Sequence, residues 1–109
     1  MNNTLHGTVA VTLGDEVFTL TPTLKAVRAI ESRFGGLRGA SQAITALSVD
    51  GCAIILVAGA GLDEKTAKAV PEMIWTHGVL DASTQLNAYL VALYNPRGKE
   101  AGNDQAGTA

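Results

Sequence analysis

Residues 50–61 read DGCAIILVAGAG, and this run of apolar and small residues decides how the rest of the chain must be arranged. The aliphatic residues 54–57 cover every direction around one helical turn, so no polar side is left for solvent. A helix of this kind is normally buried on all sides. We therefore predict a central core helix capped by Ser48, with Ala53, Ala58 and Gly59 allowing close approach of its neighbours.

The composition of the whole chain sets the scale of that core. The chain has 109 residues, 47% of them hydrophobic and 17% charged, and this length predicts a single domain. The low charge content indicates that some apolar surface remains uncovered, which favours a bound partner or a homo-oligomer. A net charge of -2 and a pI near 5.5 disfavour nucleic-acid binding, which requires clustered basic residues.

Membrane insertion and secretion are disfavoured by two features of the sequence. The apolar run over 51–62 falls short of the roughly 20 residues that a helix needs to cross a bilayer. The first residues, MNNTLHGTVAV, contain no basic leader followed by an apolar segment. The single cysteine, Cys52, can form no internal disulfide. We expect a cytoplasmic protein.

An antiparallel β-hairpin is predicted over residues 7–21, GTVAVTLGDEVFTLT. Apolar and polar residues alternate along both halves of this segment, which is the pattern of strands with one buried face. Gly14 stands at the first central position of the turn, where a positive φ is required. Because an isolated hairpin is marginal in water, its apolar face must lie on helices or on another copy's sheet.

Helical spacing dominates the rest of the chain. We predict an α+β fold, with the N-terminal β-hairpin followed by a bundle of four to five short α-helices. The first helix is capped by Thr21 and Pro22 and ends at Gly35, and the second covers about 37–47 with Ala40, Ile44 and Leu47 in register. The third is the central core helix described above. The fourth runs from Asp63 to Gly78 and is kinked or divided at Pro71, and the last opens at Asp81 or Ser83 and ends before Asn95.

These boundaries divide the chain into three parts. Residues 1–6 are predicted to be a flexible N-terminus. Residues 7–96 form the single domain, with the hairpin at 7–21 and helices within 22–94. Residues 97–109 contain no large apolar side chain, so burial cannot offset the entropy of ordering them, and we predict a disordered tail.

Candidate catalytic and ligand-binding motifs all have simpler structural interpretations. The segment GAGLDEKT at 59–66 lacks the Gly-Lys-Ser/Thr ending of a phosphate loop. His6 and His77 have no metal-ligand spacing, and Cys52 among apolar neighbours is expected to be buried and inert. The acidic pairs Asp63 with Glu64 and Glu72 with Asp81 fit helix starts. We expect no enzyme, no metal and no cofactor.

Aromatic and leucine side chains of the last two helices are the candidate contacts with a partner protein. Trp75, Tyr89 and Tyr94 are of the type enriched at interface centres, although core packing is the simpler interpretation. A groove for a client helix could be formed by Leu86, Leu90 and Leu93, or contact could be made by the hairpin's second face.

The order of motifs resembles the gene transfer agent family of phage-derived proteins, which are similar to tail-assembly chaperones of long-tailed phages. The resemblance covers about residues 7–94. It is carried by the hairpin with its Leu-Thr-Pro-Thr exit at 20–23, by the helix containing Ile30-Glu31 and closed by glycine, and by the later segments AGAGLDEKTAKAVPEMIWTHG and ALYNP. Pro71 departs from the family, whose members more often have a continuous acidic helix there.

This resemblance implies a function in phage tail assembly without catalysis. By this resemblance, a small α+β chaperone binds the long helical tape-measure protein in the bacterial cytoplasm, and tail-tube subunits are a second candidate partner. A structural subunit of the tail, carried in the virion, is the nearest alternative, and a small enzyme is a more distant one.

Overall fold

The computed structural model describes residues 8–95. This part of the chain contains a two-stranded antiparallel sheet followed by five helices, which confirms the predicted α+β class. The predictions for residues 1–6 and 97–109 lie outside the described residues. The elements are β1 (Val9–Leu13), β2 (Glu16–Leu20), α1 (Leu24–Phe34), α2 (Leu37–Thr45), α3 (Val49–Ala60), α4 (Glu64–His77) and α5 (Val79–Tyr94).

The hairpin has the predicted turn and the predicted buried face. Gly14 adopts a φ of 63°, and Val11 pairs with Phe18 in the antiparallel register. Side chains directly opposite in a ladder share a face, and Val11, Leu13, Phe18 and Leu20 are buried on the side that meets the helices. The other face, which includes Thr12 opposite Val17, is exposed.

The outer edge of β1 is closed by a side chain of α5. The Gln85 amide accepts a hydrogen bond from the Thr12 N–H at 2.8 Å and donates one to the Thr12 carbonyl at 2.9 Å. Asp81 accepts a further bond from the Gln85 amide at 2.9 Å, which orients it. Because both main-chain groups of Thr12 point to α5, the amide substitutes for a neighbouring strand at this edge.

Helix α3 is central, as predicted, but it is not buried on every side. Cys52, Ile55, Leu56 and Gly59 are among its buried residues, and they face the hairpin, α2 and α5. A Cβ at Gly59 would lie 2.8 Å from side-chain atoms of Leu20 and of Tyr89, so glycine permits this close approach. The prediction of burial all round is wrong on one side, because Ile54, Val57 and Ala58 are only half-buried.

Side-chain caps define where most of the helices begin. Ser48 Oγ accepts from the Gly51 N–H and Asp63 Oδ1 accepts from the Thr66 N–H, which confirms both predicted caps. The first cap is Thr23 rather than Thr21, since the Thr23 hydroxyl accepts from Ala26 N–H and the helix starts at Leu24.

One further boundary differs from the sequence prediction. Helix α5 begins at Val79, directly after Gly78, so Asp81 lies inside its first turn instead of preceding it. Of the two alternatives left open for α4, the structure has the single helix, which continues through Pro71. Its packing along α3 stabilises a turn that proline alone disfavours.

Helix α2 ends at Thr45, and the prediction that Leu47 continues its buried register is wrong. Leu47 has a φ of 59°, in the left-handed region, and its side chain is 41% exposed. Its N–H donates to the Ile44 carbonyl, while the Ser48 N–H donates to the Ala43 carbonyl. This pair of bonds is the Schellman motif, whose left-handed position is usually glycine.

We expect Leu47→Gly to stabilise the domain. Relief of the left-handed conformation is worth about 1–2 kcal/mol, and the greater freedom of glycine in the unfolded chain offsets about 0.5–1 kcal/mol of that. Urea unfolding should therefore show a gain of about 0.5–1 kcal/mol. A loss of stability would mean that the exposed leucine side chain makes contacts that outweigh the backbone strain.

Candidate functional site: a groove over helix α3

An open groove of about 640 Å³ lies over the half-buried side of α3. Ile54, Val57 and Ala58 contribute to its floor. One wall is the second half of α1, and the other is α4, where Ala67 and Pro71 face the groove. The lining is mainly aliphatic and small, so the groove is suited to another apolar surface.

Both walls run antiparallel to the floor. The Thr21 N–H, just before α1, donates to the Gly59 carbonyl near the end of α3, whereas Arg33 at the end of α1 lines the groove together with Asp50 at the start of α3. Helix α4 follows α3 after only three residues and packs along it. The groove is therefore bounded by three roughly aligned helices, which gives it the elongated form that an additional helix can occupy.

Pro71 places an acceptor beside the apolar lining. A proline has no N–H, so the carbonyl of Ala67 lacks the donor that the α-helical pattern would supply from residue 71. Both residues line the groove. A serine, threonine or asparagine side chain on a bound helix could donate to this carbonyl.

Arg33 is the basic residue among those that line the groove, at the end of the α1 wall and near Asp50 of α3. Lys25 and Arg33 stand four residues before and after Ala29, so the three lie along one side of α1. Glu31 is displaced from that side by the helical rotation. A ligand helix with an acidic residue toward Arg33 would complement this wall.

Trp75, one of the sequence-predicted partner residues, is 73% exposed. It follows Pro71 by four residues and Ala67 by eight, so it lies on the same side of α4 as the groove lining. Trp75 is not among the residues that line the groove, and it lies one turn beyond Pro71; an exposed tryptophan is the type of side chain that anchors protein interfaces.

Tyr94, another of the predicted residues, belongs to a second surface formed by α2 and α5. It is 53% exposed, and its hydroxyl donates to the Leu37 carbonyl at 3.4 Å. The sequence predictions did not include Leu80 and Val91, which are also exposed on α5. Their spacing from Tyr94, at 80, 91 and 94, places them on one side of the helix.

The other four predicted partner residues are in the core, which corrects the sequence interpretation. Leu86, Leu90 and Tyr89 are fully buried, and Leu93 is nearly so. Burial raises the pKa of Tyr89 to about 12, and its hydroxyl donates to the Thr21 carbonyl at 2.6 Å. These side chains hold α5 to the hairpin and α3, and they are not accessible to a partner in this fold.

The residues considered for catalysis are separated in the structure. Cys52 is buried with its Sγ 3.4 Å from Ser83 Oγ; burial raises the pKa of the thiol, and the Ser83 hydrogen bond lowers it by less. His77 is exposed, and a Cβ at Gly14 would overlap its imidazole. The pKa of Asp63 is lowered by its hydrogen bonds from Thr66, as expected of a helix cap.

Residues 59–66 do not form a phosphate loop. They comprise the end of α3, a short connection and the start of α4, rather than a strand followed by a helix. Among residues 8–95, no three His, Cys, Asp or Glu side chains are grouped so that they could hold a metal ion. None of the helices in this part of the chain combines the length and hydropathy needed to span a membrane.

Comparison of the chain with protein-family models, with curated proteins and with solved structures found no match of any of the three kinds.

Proposed function

We propose that this protein is a non-enzymatic tail-assembly chaperone of a phage or gene transfer agent, and that it binds an α-helical segment of the tape-measure protein. The motif order at 7–94 suggests the protein class. The groove over α3 is the observation that carries the binding role, because its apolar lining is open in a chain that otherwise has a well-packed core.

The groove specifies the chemistry of the client segment. It would accept an amphipathic helix whose apolar side chains contact Ile54 and Val57 and which carries an acidic residue toward Arg33. Tape-measure proteins are long and helical, and the apolar sides of their helices associate with each other unless they are covered. Binding in the groove would cover such a side before assembly, in the cytoplasm of the bacterial host.

Coexpression with the tape-measure protein of the same gene cluster tests this proposal. We expect the two proteins to copurify and the client to remain in solution only when the chaperone is present. Ala29→Glu places a carboxylate on the exposed wall of the groove and should weaken binding at least about tenfold, because it repels the acidic residue and interrupts the apolar contact.

Ala69→Glu is the matched control, since Ala69 is an exposed alanine in the interior of α4 that does not line the groove. It should leave binding unchanged. Equal binding by both variants, or failure of the wild-type protein to retain the tape-measure protein, would contradict the proposal. Mass spectrometry of purified particles distinguishes a chaperone, which is absent from them, from a tail subunit present in many copies.

A further inference from the structure

We propose that Pro71 makes the groove over α3 selective for helices that carry a serine or threonine in the middle of their apolar side. The hydroxyl of that residue would donate a hydrogen bond to the main-chain carbonyl of Ala67. This inference rests on the proposed function, because it specifies which helical segment of the client the same groove binds. It is carried by the position of one proline and by the polar groups around it.

The Ala67 carbonyl lacks its normal helical partner. Helix α4 continues through Pro71, and the proline ring takes the place of the N–H that would donate to the carbonyl four residues earlier. Among residues 8–95, no side chain donates to this carbonyl, and no main-chain N–H from outside α4 does so. Both residues are half-buried and line the groove, and a helical carbonyl points along the axis toward the residue four positions later. The acceptor therefore lies at the α4 wall, between Ala67 and Pro71.

No other lining residue of the groove supplies the missing donor. The polar side chains of the lining, Ser32, Arg33 and Asp50, belong to α1 and α3 and not to the α4 wall. The Ser32 hydroxyl donates to the Ala29 carbonyl at 2.9 Å, within its own helix. Every other lining residue has an alanine, valine, isoleucine or proline side chain, none of which can donate a hydrogen bond.

A bound helix with a wholly apolar side would leave the Ala67 carbonyl without water and without a donor. Binding is weakened when a carbonyl loses its hydrogen bonds to water and gains no other. A hydroxyl supplies one donor for this one acceptor, and serine and threonine are small enough to lie against Ala67 and Pro71. A lysine or arginine donor is longer and carries a charge, which an apolar groove disfavours. The groove therefore discriminates mainly against helices that lack the hydroxyl.

Overlapping synthetic peptides that cover the tape-measure protein test this selectivity by fluorescence anisotropy. We expect the tightest-binding peptide to carry a serine or threonine in the middle of an apolar helical side. Replacing that residue with alanine should weaken binding to the wild-type protein about tenfold. Pro71→Ala restores the N–H donor to the Ala67 carbonyl, so the two peptides should bind this variant with less than about a threefold difference.

Pro22→Ala is the matched control, since Pro22 precedes α1 and does not line the groove. It should keep the preference of the wild type. The inference is overturned, with the proposed function intact, if the tightest-binding peptide lacks such a hydroxyl, or if removing the hydroxyl weakens binding equally to the wild type and to Pro71→Ala. A tape-measure protein that does not copurify with the wild-type chain overturns both proposals. Thermal unfolding by circular dichroism verifies that each variant is folded.

Discussion

Replacing Gly59 with valine is expected to destabilise the fold by about 3 kcal/mol. A single Cβ at this position would already lie 2.8 Å from Leu20 Cγ and from a ring carbon of Tyr89. Both neighbours are fully buried, and the Tyr89 ring is held by its hydrogen bond to Thr21, so neither can move aside without disturbing the contact between hairpin and helix. Valine adds two methyl groups to this space.

A graded comparison separates the steric effect from helix propensity. Gly59→Ala should cost less than Gly59→Val, since it adds only the Cβ and gains up to about 1 kcal/mol of helix propensity. Ala69→Val introduces a β-branched residue at an exposed site of α4 and should cost less than about 1 kcal/mol. Urea unfolding at one fixed protein concentration measures all three. If Gly59→Val is no worse than Ala69→Val, the close packing of α3 on the hairpin is contradicted.

Truncation of Leu56 to alanine is expected to destabilise the domain by about 2–5 kcal/mol. Leu56 is fully buried in α3, so the variant loses the transfer free energy of the removed atoms and leaves a cavity. Ile54→Ala is the matched comparison, because it removes a similar aliphatic group from the same turn at a position that is only half-buried.

We expect Ile54→Ala to cost markedly less stability than Leu56→Ala, and to weaken client binding instead. Equilibrium unfolding in urea measures the first effect, and copurification with the tape-measure protein measures the second. Similar losses of stability at the two positions would mean that α3 is enclosed on all sides and that no open groove lies above it.

The fold was largely predictable because its signals are local. The alternation of apolar and polar residues on both sides of Gly14 predicted the hairpin and its buried face. The capping residues Ser48 and Asp63 predicted where α3 and α4 begin. Leu47 was misplaced because its apolar side chain fits the register of α2, whereas the backbone reverses there into a left-handed turn. A left-handed backbone conformation is usual for glycine and uncommon for leucine, so the residue type at position 47 does not predict it.

The surfaces were less predictable because exposure depends on which elements pack together. The spacing of Leu86, Leu90 and Leu93 identifies an apolar side of α5, but only the tertiary arrangement determines that this side meets the core. In α3 the apolar residues surround the helix, so the sequence pattern cannot indicate that Ile54 and Val57 line an opening between α1 and α4. The absence of Asp, Glu, Lys and Arg from residues 82–94 was the available signal for the second surface.

Amide chemical-shift mapping of the isotopically labelled protein, with and without the tape-measure protein, tests whether the groove over α3 is the binding site. We expect shifts concentrated along the groove, at Ile54, Val57 and Ala58 on its floor and at Ala29 and Ala67 on its walls. Shifts absent from these residues, or confined to α2 and α5, would contradict it.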